Sequence, residues 1–63
     1  MPIVQIDFLA GRTQEQKEAM MMKVTEDICE TLNAPPDSVR IILHEHTTDE
    51  ISVGGKTMKQ LGR

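Results

Sequence analysis

Sixty-three residues, a formal charge of -3 and a single cysteine, Cys29, leave room for one domain over residues 1–63 with a small core. A chain this short buries only ~60% of its unfolded surface and needs outside help; with an internal disulfide excluded and no Cys/His cluster of structural-zinc form, oligomerisation is expected. Seven Lys+Arg against ten Asp+Glu, and Phe8 as sole aromatic, argue against nucleic-acid binding, while the lack of a ~20-residue apolar run or of an export signal, together with the free thiol, predicts a cytoplasmic protein with no membrane partner.

In residues 3–9, Val4, Ile6 and Phe8 alternate with Ile3, Gln5 and Asp7, the period-two pattern of a strand. Ala10-Gly11-Arg12 reads as a turn. Thr13-Gln14-Glu15-Gln16 has the form of a capping box, with Thr13 as N-cap and Gln16 reaching back, and predicts a helix to about Asn33. Met21, Val24, Ile28 and Leu32 make its apolar stripe, flanked by Met20 and Thr25, and Lys17, Glu18, Lys23, Glu26, Asp27 and Glu30 are expected to face water. Asn33-Ala34-Pro35-Pro36 ends the helix, because proline lacks an amide hydrogen and disfavours helix at the residue before it.

Residues 39–45 read as a second strand, with Val39, Ile41 and Leu43 on one face and Arg40, Ile42 and His44 on the other. Strand, helix of about five turns and strand predict an α+β chain built on a β-α-β unit, with a right-handed crossover and two parallel strands. One helix covers only one face of such a sheet, whereas parallel sheets are covered on both, so a second subunit is expected on the other face. Ile51-Ser52-Val53 then reads as a short strand and Gly54-Gly55 as a tight bend, the makings of a C-terminal hairpin, with Lys56 to Leu61 forming either a helical turn or a tail. With so few apolar residues, this segment is expected to pack on a neighbour.

The sequence holds no serine–histidine–acid spacing, Walker loop, dinucleotide fingerprint or metal-binding helix motif. Pro2 stands out by position, directly before the first strand. A small second residue favours removal of the initiator methionine, and Pro2 would then present a secondary amine able to accept a proton. An α-amino group has a pKa near ~8 in peptides, and burial or nearby cations lower it toward the range a general base needs. The plainer reading of Pro2 is a rigid start to the strand. Arg12 and Arg40 are by default a solvated turn residue and a strand-surface ion pair. His44 and His46 share a strand face, but no third ligand accompanies them, so no metal is expected and a polar strand end or subunit contact is the favoured reading. Cys29 lies near the apolar stripe as a small core residue, and Met20-Met21-Met22 reads as adaptable packing.

Taken together, Pro2-Ile3-Val4-Gln5-Ile6, Gly11-Arg12-Thr13, Glu15-Gln16-Lys17, Ala34-Pro35, Ser38-Val39-Arg40 and Gly54-Gly55 resemble the 4-oxalocrotonate tautomerase family, the short members of the tautomerase superfamily, in order and spacing over essentially the whole chain. The resemblance implies a β-α-β subunit in which two copies form a four-stranded sheet and three such dimers a homohexamer. It implies an enol–keto isomerase without a cofactor, acting on a small dienol or 2-oxo acid such as 2-hydroxymuconate, as in aromatic hydrocarbon catabolism. Pro2 would be the general base. Arg12 and Arg40 would bind and polarise the substrate, partly from neighbouring subunits, which suits guanidinium because it is always charged and grips carboxylate through two parallel hydrogen bonds. Relatives commonly carry an aromatic residue at the position of Ile51, a pocket wall that isoleucine keeps apolar but smaller, and often glycine at that of Ser52. The alternatives are hydration or dehalogenation on the same scaffold with a cationic Pro2 as acid, or a non-catalytic oligomeric module.

Overall fold

A computed structural model describes all residues from Met1 to Arg63. Strand β1 (Ile3–Leu9) leads into helix α1 (Gln14–Leu32), a 3-10 turn (Pro36–Ser38) and strand β2 (Arg40–His46). The two strands pair in parallel, in register from Ile3 opposite Arg40 to Leu9 opposite His46. Strand β2 thus lies one residue later than the sequence pattern suggests, because Val39 is taken up as the cap of the 3-10 turn, its N–H bonded to the Pro36 carbonyl.

Helix α1 begins as its capping box dictates. The Gln16 amide donates to Thr13 Oγ1 at 3.1 Å, and the Thr13 amide donates to Gln16 Oε1 at 3.0 Å. It ends at Asn33 in the left-handed conformation, φ 53, which asparagine tolerates better than most residues. Met20, Met21, Val24, Thr25, Ile28 and Cys29 are half-buried, as are Val4, Ile6, Phe8, Ile41 and Leu43 of the sheet, and the alternation along both strands gives the helix these facing residues.

Two expectations about α1 need correction. Leu32 is 65% exposed, because the stripe runs past the end of the sheet it packs on. Lys17 does not face water: its side chain is 15% exposed, and its Nζ meets Glu45 Oε1 at 2.6 Å. Lys17 lies one helical turn before Met21 and so on the sheet-facing stripe, and Glu45 continues the inward set of Ile41 and Leu43.

After β2 the chain forms a separate hairpin, β3 (Ser52–Val53) against β4 (Lys56–Thr57), antiparallel across Gly54-Gly55. Both glycines have positive φ, 63 and 86, as a two-residue hairpin loop with the favoured twist requires. Residues 56–61 therefore contain a strand, and only part of them a turn. The Gln60 amide donates to Thr57 Oγ1, the Thr57 amide donates to Gln60 Oε1, and the Leu61 amide donates to the Thr57 carbonyl, a helix start that goes no further.

No residue is fully buried. The radius of gyration is 15.1 Å, against about 11 Å for a compact chain of this length. The accessible surface is 4913 Å², against roughly 4,100 Å² for a folded monomer of this mass. The sheet face away from α1 exposes Ile3 by 57% and Ile42 by 44%, and one edge of β1 has no neighbouring strand.

Candidate active site

The first strand carries Pro2 at its entrance, and parallel pairing puts the start of β2 beside it. The Arg40 amide donates to the Pro2 carbonyl at 2.9 Å. The Arg40 side chain turns back along its own chain: Nη1 donates to the Asp37 carbonyl at 2.6 Å and, more weakly, to that of Val39 at 3.4 Å. Neither bond reaches Pro2, and both use one nitrogen of a group with five N–H donors. The remaining donors are free for a ligand. Met1 precedes Pro2 and is 76% exposed.

Arg12 lies at the other end. The strand from Pro2 to Ala10 spans about 26 Å at ~3.3 Å per residue, far beyond the reach of an arginine side chain. Gly11, at φ 128, allows the chain to leave β1 abruptly and point Arg12 beside the start of α1. There Ile6, Phe8, Leu9, Arg12, Lys17 and Met20 line a groove of about 460 Å³. Its walls are largely apolar, Lys17 is neutralised by Glu45, and Arg12 has no ion-pair or hydrogen-bond partner in the chain. A flat acid could lie on the apolar wall with a carboxylate on Arg12.

Ile51 is also at this far end, half-buried at the root of the hairpin, where its carbonyl accepts from the Met58 amide at 2.8 Å. Of the residues singled out from the sequence, Pro2 and Arg40 therefore share one end of the sheet, Arg12 and Ile51 the other, and no single copy brings the two pairs together.

His44 and His46 lie on the open face, as their spacing predicts. His46 Nε2 is 2.8 Å from Asp7 Oδ1, across the two strands. This hydrogen bond, aided by the fields of both imidazoles, holds the Asp7 carboxyl below the usual aspartate range, against a smaller opposing effect of desolvation. Asp7 drew no attention in the sequence. Its partner becomes visible only once parallel pairing sets Asp7 opposite His44.

A family model described as "Tautomerase enzyme" matches residues 2–60. The chain is 44% identical to the 2-hydroxymuconate tautomerase of Stutzerimonas stutzeri over 63 residues, the whole of both chains. Among solved structures it is similar to a 4-oxalocrotonate tautomerase isozyme from Methylibium petroleiphilum, with a TM-score of 0.87, 39% identity and 97% and 95% of the two chains covered. It is also similar to a subunit of the heterohexamer 4-oxalocrotonate tautomerase from Chloroflexus aurantiacus, with a TM-score of 0.84, 30% identity and 97% and 98% covered. No helix is long and apolar enough to cross a membrane.

Proposed function

The chain belongs to the tautomerase family of enzymes, and from that premise we propose that it moves a proton on a small dienol or 2-oxo acid of the 2-hydroxymuconate type, with the Pro2 nitrogen as base. The observation that carries this reading is the placing of Pro2 and Arg40 at one end of the sheet and of Arg12, in its apolar groove, at the other. Two copies running antiparallel through the free edge of β1 would lay the Arg12 end of each against the Pro2 end of the other. The site is then shared between copies, in a homo-oligomer for which a hexamer is the expected form. The exposed Ile3 and Ile42 and the expanded shape support such an assembly.

The steps follow from the groups. Arg12 holds a carboxylate by paired charged hydrogen bonds. Freed of Met1, the Pro2 amine removes the enolic proton and returns it to carbon, while an Arg40 guanidinium stabilises the charge that builds on the 2-oxygen. Neither step calls on a cofactor. The natural acid would come from ring-cleavage catabolism of aromatic compounds. A free Cys29 thiol fits a reducing compartment such as the cytoplasm, and residues 1–63 act as one domain.

The test combines intact mass with turnover of 2-hydroxymuconate. Active protein is expected to begin at Pro2, because with Met1 attached the Pro2 nitrogen is an amide with almost no basicity. Full turnover by material that keeps Met1 quantitatively would remove Pro2 as the base.

A further inference from the structure

The ion pair between Lys17 and Glu45 is the only one that ties α1 to the sheet, Nζ to Oε1 at 2.6 Å. It stands in an unfavourable place. Lys17 lies on the sheet-facing stripe, where a leucine or methionine would pack with no charge to desolvate. Its amide closes the first turn of α1 on the Thr13 carbonyl at 3.1 Å, so its charge also lies near the positive end of the helix dipole. A half-buried ion pair is seldom more stabilising than an apolar pair of the same shape. Stability alone gives little reason for this one.

The groove beside Arg12 gives a better reason. Lys17 and Arg12 are the only charged side chains that line it. The Lys17 side chain is 15% exposed, and its ammonium bonds only to Glu45, which leaves two of its three N–H donors unspent. Glu45 does not line the groove; it reaches Lys17 from β2, beside Phe8. Two cations and one carboxylate therefore leave the groove a net single positive charge, the complement of one carboxylate.

We propose that Glu45, acting through Lys17, sets the charge preference of this groove, so that it takes a substrate end bearing one carboxylate and rejects a dianionic end such as a phosphate or phosphonate. The proposal rests on reading the Arg12 groove as the place where the substrate's carboxylate binds. A dianion there would hold one negative charge without a partner against apolar walls, with the Glu45 carboxylate close behind Lys17. Glu45 is a positioning residue, since it touches Lys17 and not the ligand.

Two flat acids of similar shape test this: benzoate, with one charge, and phenylphosphonate, with close to two at mildly alkaline pH. Calorimetric titration of the protein gives the affinity of each, and Arg12→Ala identifies binding outside the groove. Glu45→Gln unmasks the second cation and should raise the affinity for phenylphosphonate relative to benzoate about tenfold. Lys17→Gln leaves Glu45 unmatched and should move the ratio the opposite way. Lys17→Met combined with Glu45→Gln, a neutral pair, should return the ratio to that of the parent, whereas a purely structural pair would leave all these ratios alike. An unchanged ratio in a folded single variant, or a double variant that keeps the Glu45→Gln ratio, would overturn the proposal. So would benzoate binding the parent no better than Arg12→Ala. Should one single variant lose its helical circular dichroism, the other decides, because the two shift in opposite directions. The ratios are read at equilibrium without turnover, so an error in the role of Pro2 would leave them unmoved and show only in the 2-hydroxymuconate assay.

Discussion

Single side chains carry the sharpest consequences of this structure. In the proposed mechanism Arg40 meets charge that develops during reaction, so Arg40→Ala should lower kcat by about 10²–10³, the usual cost of losing one such donor. In the same mechanism Arg12 holds a carboxylate already present in the ground state, so Arg12→Ala should act on KM and more for a dicarboxylate than for a monoacid such as phenylenolpyruvate. Steady-state kinetics on both substrates checks the division, and equal losses everywhere would refute it. Asp7 makes a claim on pH. Its folded carboxyl titrates below its ordinary value because of His46, so its contribution to stability is present above the unfolded pKa and is lost as pH falls through the folded one. Asp7→Asn should therefore flatten the acid limb of the stability profile. Urea midpoints at about pH 6 and about pH 3 should fall less between the two conditions in the variant than in the parent.

At the level of elements, the local signals were strong where short-range chemistry decides. The Thr13-to-Gln16 box set the helix start, the paired prolines its end, and Gly54-Gly55 the hairpin loop. Thr13→Ala removes one cap bond and should cost about 1 kcal/mol, read as a lower unfolding midpoint with unchanged helix length by amide exchange. Lys17 was legible too, since it lies four residues before Met21; its charge obscured its position, and its partner Glu45 is 28 residues away. The strand at Lys56–Thr57 was hidden because Thr57-Met58-Lys59-Gln60 has the same capping form as the start of α1. Both readings hold there, and the helical one ends within a turn.

For the whole molecule, the pattern of faces predicts a second subunit, and the absence of any fully buried residue in the single chain accords with that expectation. The individual site residues were less legible, because sequence shows which residues are unusual and not how far apart a strand holds them. That distance has one more outcome. If the sheet keeps Pro2 and Arg12 of a chain permanently apart, each copy lends one half of its chemistry and borrows the other. A chain blocked at Pro2 and a chain carrying Arg12→Ala, each inert alone, should then regain turnover when unfolded and refolded together, because some hybrids unite an intact Pro2 with an intact Arg12. Native mass spectrometry would verify the hybrids, and turnover on 2-hydroxymuconate would report the rescue. Hybrids that form but stay inert would mean that each copy works with its own residues alone. Complementation between defective alleles is thus an expected genetic property of this protein, and its origin is the length of one seven-residue strand.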